Sequence, residues 1–407
     1  MTDYKAYDAY INDDLMMMAS VMSEFTDKCI MPYRQQLDDD KDHVIVNKIL
    51  NDLVKIDFFR SPFPEEVGGL GMGISSMASA LGSEEIGRGD GGISVSAGCA
   101  VLPFMAPIWA DNKVILEKFG SQMCGDELKM GCLCMTEPNA GCDVENESMH
   151  GRKITTTAVQ DGNEWVISGQ KMWASNCGIA DFYSILCTTD PEAGEDGVAL
   201  IFVPKDTPGI TYGVFENKAG MASDRNCAMY LDNVRVPLEY RVAGPGQDYE
   251  LLMRSITLAR INSAAQAVGN AQAIFDTVLK YTGERVVADK PIRQHSVAAS
   301  ILADIAIGIE TARSAYIVAA HVFDHPEKFG SQTSRYTVSK ANIAKVYATD
   351  VQIMVANKAM ELMGSYGYVR DYDVEKYWRD GKIIQLWMGG PQIGRFDVMR
   401  GYYDVEC

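Results

Sequence analysis

The sequence predicts an α+β multidomain fold in three parts: an N-terminal helical domain over 1–128, a small antiparallel β-barrel or sandwich over 129–243, and a C-terminal four-helix bundle over 244–407. Three observations carry this. Leu15-Met-Met-Met and the stretch 44–59 place apolar residues at three-to-four spacing, the mark of buried helix faces. Between 153 and 209 short β-branched or aromatic runs alternate with turn formers such as Asp161-Gly162-Asn163 and Pro208-Gly209. From 246 onward long helical periods return over 247–283, 290–324, 333–363 and 391–403, with breaks short enough for an antiparallel bundle.

Taken in order, the N-terminal helices are interrupted by Pro62, Pro64 and the glycines of 68–73. Those glycines follow no strand and lack Gly-x-Gly-x-x-Gly spacing, so they read as a structural turn rather than a dinucleotide fingerprint. A helix over 75–88 follows, and Gly89-Asp90-Gly91-Gly92 separates it from the apolar run 93–103. Strands are expected at 153–159, 164–168, 182–187 and 198–203. Near the end, a charged turn from Arg379 leads into the apolar stretch 383–388, then a Gly389-Gly390-Pro391 break and a new helix. Paired glycines let a backbone approach a ligand closely, and a proline in a first helical turn leaves neighbouring amides free. There is no internal repeat and no low-complexity segment.

Of 407 residues, 47% are hydrophobic and 23% charged, ordinary values for a globular chain. A net charge of −18 argues against a nucleic-acid or anionic-membrane partner. The start lacks the basic and apolar regions of a signal peptide, and no run reaches the about 18 apolar residues of a membrane span. A cytoplasmic protein whose ten cysteines are reduced thiols is the expectation. Cys132 and Cys134 point to one face with no second pair, and His321 and His325 lack a His-Glu-x-x-His glutamate and meet Pro326, so no metal site is expected.

Five elements in register carry a more specific message. They are Met135-Thr-Glu-Pro-Asn-Ala-Gly-Cys-Asp143, Gly169-Gln-Lys-Met-Trp-Ala-Ser-Asn176, Tyr230-Leu-Asp-Asn-Val-Arg-Val-Pro237, Gly364-Ser-Tyr-Gly-Tyr with Val374-Glu-Lys-Tyr-Trp-Arg-Asp380, and the stretch 379–395. Together they resemble the acyl-CoA dehydrogenase family over nearly the whole chain. The resemblance implies FAD, an acyl-CoA substrate, an electron-transfer flavoprotein as electron partner, and a homotetramer built as a dimer of dimers. It implies that Met135, Thr136, Trp173 and Ser175 line the isoalloxazine, with Gly141 and Cys142 near the pyrophosphate or the CoA. Arg285 matches the adenosine-diphosphate arginine; Glu361, Gly364 and Ser365 match the segment that meets the pyrophosphate from the partner subunit; Pro391 and Gln392 match adenosine contacts. Arg260, Met388 and Gly389 fall to the substrate. Two departures stand out: Ala288-Asp289 replaces a usual Phe-Gly pair, and Glu361 replaces a usual glutamine. Read by themselves, Trp173, Ser175 and Thr136 offer an aromatic face and two hydroxyls, as a packed barrel interior also would.

The family's usual catalytic base is the glutamate of a Tyr-Glu-Gly-Thr run. Here that run is Trp387-Met388-Gly389-Gly390, with Gln392 kept. The alternative position, just before Arg260, is Ala259. Removal of a proton α to a thioester needs a carboxylate within hydrogen-bond reach, and both known places are empty. The chain then works as a reductase, is an inactive flavin-binding assembly protein, is an orthodox dehydrogenase with an unrecognised base, or takes its proton from another carbon. For the last, Asp90 is the candidate: it sits among glycines and leads into 94–98, where Ser94, Ala97 and Gly98 would border a compact ring. An aspartate beside glycine is equally a turn residue or helix cap. The pattern is similar to the branch of the family acting on cyclohex-1-ene-1-carboxyl-CoA, which implies a 1,4-elimination to cyclohexa-1,5-diene-1-carboxyl-CoA.

Overall fold

The computed structural model describes residue 2, residues 4–140 and residues 143–405. The first part holds helices α1 (Asp13–Phe25), α2 (Val44–Val54), α3 (Ser76–Gly89) and α4 (Gly91–Trp109). Three of these starts are fixed by side-chain caps that accept from otherwise orphaned amides. Asn12 takes Leu15 N at 2.9 Å, Ser75 takes Ala78 N at 3.2 Å, and Asp90 takes Ile93 N at 2.9 Å. α2 is capped from farther back, by Asp40, whose carboxylate accepts from Val44, Ile45 and Val46.

The run expected to end at 103 continues as α4 through Pro103 and Pro107 to Trp109. Each proline removes an N–H donor, yet Ile93, Ala97, Ala100 and Phe104 are fully buried, and that packing holds the helix together. Strand β1 (Gly131–Cys134) lies directly on it: a Cβ at Gly131 would come 2.5 Å from the Ala100 carbonyl oxygen. α4 is also long and apolar enough to cross a membrane, but 78% of its apolar window is buried inside the protein, the setting of a core helix.

The middle part adds β2 (Thr157–Asp161), β3 (Glu164–Lys171), β4 (Phe182–Thr188), β5 (Val198–Pro204), β6 (Ile210–Tyr212) and β7 (Met229–Pro237). The sheet order is β1-β4-β2-β3-β7-β6, with β5 paired to β4. Asp161-Gly162-Asn163 turns β2 into β3 as the sequence predicts, with Asp161 opposite Glu164. The sheet is mixed rather than wholly antiparallel: β1–β4 and β2–β4 run parallel. The β2–β3 hairpin comes between β1 and β4 in sequence only; in the sheet β4 lies between β1 and β2 and runs parallel to both.

In the last part, α5 (Gln247–Glu284) is followed by a hairpin of β8 (Val286–Val287) and β9 (Lys290–Pro291), then α6 (Ser296–Asp324), α7 (Arg335–Met363), α8 (Val374–Leu386) and α9 (Gly390–Arg400). α5 packs along α3, α6 and α7. At Gly269 it touches α3 backbone to backbone, since a Cβ there would meet the Glu84 carbonyl oxygen at 2.0 Å. Two expectations change. Residues 290–295, read as helix, form β9 and a short turn, and α6 begins only at Ser296. Residues 379–382, read as a charged turn, lie inside α8. Gly381 breaks no helix there; it makes room for Gln352, whose Nε2 would sit 2.1 Å from a Cβ.

Candidate active site

Helices α4 and α5, the segments after β1 and β3, the 218–226 loop and the α8–α9 turn enclose a cavity of about 680 Å³. α4 presents Ser94, Val95, Gly98, Cys99 and Leu102 to it. Ala97, expected beside them, turns into the core and is fully buried.

On the β-domain side, Thr136, Trp173 and Ser175 line the cavity. Their placement follows from a buried ion pair beneath them, Lys171 Nζ to Glu137 Oε1 at 2.7 Å. Lys171 also donates to the Met135 carbonyl at 3.1 Å, and Glu137 accepts from the Thr155 and Thr156 amides. Burial opposes ionisation of Glu137, but Lys171 and the two threonines outweigh it and bring the carboxyl down to about 2. Trp173 stands in the left-handed region at φ 66°, its carbonyl held by Asn226 Nδ2 at 2.9 Å, and half of its surface stays open. An open indole with two hydroxyls in a cavity that also presents apolar side chains such as Val95, Leu102 and Leu386 fits an isoalloxazine, which needs an apolar face and hydrogen-bond donors at its polar edge. Met135 sits behind this wall and does not border the cavity; Gly141 and Cys142 lie outside the described residues.

On the bundle side, Trp387, Met388 and Gly389 border the cavity, with Met388 and Gly389 at φ 51° and 77°. Trp387 Nε1 donates to Ser263 Oγ at 3.0 Å, and the buried Lys345 donates to the Trp387 carbonyl at 2.9 Å. Ser263 Oγ is 3.8 Å from Met388 Sδ, and Ala259 faces the same space. The turn that should carry a carboxylate is firmly anchored and carries a thioether.

Two sequence-based roles need correction. Asp90 does not line the cavity. Its fully buried carboxylate caps α4, accepts from Ser223 Oγ, and lies 2.7 Å from Lys376 Nζ. Burial alone would raise its pKa; Lys376, Ser223 and the Ile93 amide reverse that and hold it below the usual carboxylate range. Lys376 also meets Asp380 at 2.7 Å, so Asp90 belongs to a buried charge cluster tying the α3–α4 junction to α8. Arg260, expected at the substrate, is fully buried between Glu145 (3.1 Å) and Asp397 (2.9 Å) and does not line the cavity either.

The residues matched to the adenosine half of the cofactor stand apart. Arg285 follows α5, Glu361, Gly364 and Ser365 close α7, and Pro391 and Gln392 open α9. Arg285, Glu361, Gly364, Ser365 and Gln392 are exposed, and none of this group borders the cavity.

Sequence reasoning missed the carboxylates that do border it, Asp224 and Glu145. Asp224 lies in Lys218-Ala-Gly-Met-Ala-Ser-Asp-Arg-Asn226, a polar loop just before the motif that closes the β domain at Tyr230. A carboxylate in a Gly-containing loop ahead of the last strand of the sheet was the available signal. Cys132 and Cys134 do share a face, with sulfurs 3.5 Å apart, and no group of three or more potential ligands suited to a metal ion occurs among the described residues. His325 Nδ1 meets the His321 carbonyl at 2.8 Å, as at a helix end.

Comparison with known proteins agrees with this architecture. Profiles described as acyl-CoA dehydrogenase N-terminal, middle and C-terminal domains match residues 12–112, 132–234 and 249–403. The chain belongs to the acyl-CoA dehydrogenase family. It is 30% identical to a cyclohexane-1-carbonyl-CoA dehydrogenase of Syntrophus aciditrophicus, over 98% of this chain and 99% of that one. It is 32% identical to a cyclohex-1-ene-1-carbonyl-CoA dehydrogenase of Geobacter metallireducens, over 84% and 86%. Among solved structures it is similar to butyryl-CoA dehydrogenase from Megasphaera elsdenii, with a TM-score of 0.87 at 27% identity, covering 97% and 99%. The family's members are FAD-dependent oxidoreductases acting on CH–CH groups, and FAD is the cofactor of this chain.

Proposed function

We propose that the protein oxidises an alicyclic acyl-CoA, taking cyclohex-1-ene-1-carboxyl-CoA to cyclohexa-1,5-diene-1-carboxyl-CoA by 1,4-elimination. The observation that carries this reading is the cavity wall itself: Met388 and Ala259 occupy both places from which an α-proton would be taken, while the turn around them stays anchored by Ser263 and Lys345. A site that keeps its frame and lacks that carboxylate suits a substrate whose acidic hydrogen lies farther from the carbonyl. In an α,β-unsaturated thioester the γ-hydrogens meet that requirement by vinylogy. The Met388 backbone N–H is available to polarise the thioester carbonyl, a contact that needs no side chain. Bound FAD supplies the hydride acceptor. Thr136, Trp173 and Ser175 would hold its ring; Arg285, Glu361, Gly364, Ser365, Pro391 and Gln392 would hold its adenosine half across a subunit boundary in a homotetramer. An electron-transfer flavoprotein would reoxidise it.

A second reading, oxidation of the saturated cyclohexane ring, is favoured by the relatives that carry that activity in their names. Assay of the purified protein with cyclohexene-, cyclohexane- and butyryl-CoA separates the readings. The first expects the cyclohexene thioester to be turned over fastest and the diene to appear by mass spectrometry; oxidation of saturated thioesters alone refutes it.

A further inference from the structure

We propose that Asp224 is the catalytic base: its carboxylate, presented to the cavity beside Ser175, removes the ring proton that nothing at 388 or 259 can take. The inference rests on the dehydrogenase reading above and assigns that reaction its missing group.

Among the described residues that border the cavity, only Asp224 and Glu145 carry carboxylates. Glu145 is committed to Arg260 at 3.1 Å. Asp224 is not committed in the same way. It is 5% exposed, its Oδ2 accepts from Ser175 Oγ at 3.0 Å, and Lys218 Nζ stands 3.5 Å from the same oxygen. Its Oδ1 is buried and has no hydrogen-bond partner among the described residues. A buried polar atom without a partner is destabilising, and a catalytic or ligand-binding role is one reason folds retain such atoms. Ser175 is the hydroxyl matched to the flavin wall, so this carboxylate stands one hydrogen bond from that wall, on the same cavity.

The surrounding structure is built to hold this loop still. Ser223 donates to Asp90, the Met221 amide donates to Asp380, Arg225 donates to the Lys41 carbonyl at 3.1 Å, and Lys218 donates to the Asp224 carbonyl and to Asn226. Through Ser223, Asp90 helps to fix the loop that carries Asp224. Burial raises the Asp224 pKa, with Lys218 and Ser175 offsetting part of the rise. A carboxylate so placed is a stronger proton acceptor than a free aspartate. The ring C–H bond breaks and its proton passes to Asp224. The electron pair moves into the conjugated ring–thioester system as a hydride departs from the ring carbon on the other side of C1, with oxidised flavin as the two-electron oxidant.

The test follows proton removal apart from oxidation. Holoenzyme in deuterated buffer is mixed with cyclohexene-carboxyl-CoA, and deuterium entry into the ring is read by NMR, alongside flavin content and melting temperature. Asp224→Asn should keep flavin and fold and lose exchange by about 100-fold or more. Asp224→Glu should recover part of it, with the acid limb of the exchange–pH profile displaced. The charged and titratable groups around Asp224 are Lys218 on its own loop and Cys99 on α4, with Arg379 and Lys382 of α8 also on the cavity wall. Exchange at the wild-type rate in Asp224→Asn, or loss only in Glu145→Gln, overturns the assignment. If Asp224→Asn sheds its flavin, the Asp224→Glu profile decides: a displaced limb supports the assignment and a superimposable one overturns it. If wild-type enzyme exchanges and oxidises only cyclohexane- or butyryl-CoA, the 1,4-elimination fails, and the same variants then test Asp224 on the α-proton.

Discussion

Ser223 joins the two aspartates that matter most here, Asp90 behind it and Asp224 beside it. The cap at Asp90 was legible: an aspartate ahead of glycines and an apolar run is a helix start. Its charge partner was not, because Lys376 comes from a helix remote in sequence and no local pattern encodes that meeting. Asp90→Asn leaves Lys376 in a fully buried cluster one negative charge short, and breaking such a pair costs about 3 kcal/mol. Urea denaturation should show that loss, with flavin retained in the folded fraction; a stability equal to wild type would contradict the ion-pair role. Met388→Glu tests the complementary vacancy. Because Ser263 and Lys345 fix Trp387, the new carboxylate arrives on an anchored turn, and oxidation of butyryl-CoA should rise well above the parent's in a flavin-bleaching assay.

The 218–226 loop is held by elements from all three parts of the chain, and one of them titrates. His43 precedes α2 in the left-handed region, is buried, and bonds the backbone at Ala222. Burial, then the Arg225 cation, lowers its pKa from 6.5 to about 4. The folded state thus binds this proton more weakly than the unfolded chain. Stability from the neutral ring is complete above about pH 6.5 and is lost as pH falls through about 4. Melting temperatures stepped across that range should fall for wild type and fall less for His43→Gln; parallel curves would remove His43 from the account. At this scale the strands were readable because β-branched residues and turn formers mark both ends, as at Asp161-Gly162-Asn163. α8 was hidden because Gly381 looks like a breaker, and only Gln352 from α7 explains it. Gly381→Ala should therefore destabilise the fold by more than the rough 0.5–1 kcal/mol in favour that an exposed helix would give, with the opposite sign.

The order of the three parts was legible because each has its own periodicity, and the cavity lies where they meet, which no single periodicity describes. The same holds for the outer surface. Around Arg285, Val286 and Val287 are exposed, and Tyr281 packs against Tyr366 at 5.8 Å, with Tyr366, Tyr368 and Val369 open nearby in sequence. Contiguous exposed apolar side chains on a folded chain mark interaction surfaces. These belong to the segments that carry the residues matched to the adenosine half of FAD. On the proposed reading, with the flavin ring inside and the adenosine contacts outside, the chain should bind its cofactor fully only when assembled. Val287→Arg places a charge in that surface without touching the cavity. Sedimentation monitored by protein and by flavin absorbance should show a smaller species that has lost FAD, with secondary structure unchanged by circular dichroism. A variant that sediments as wild type and keeps its flavin would show that the exposed valines face solvent and that the cofactor is held by one chain alone.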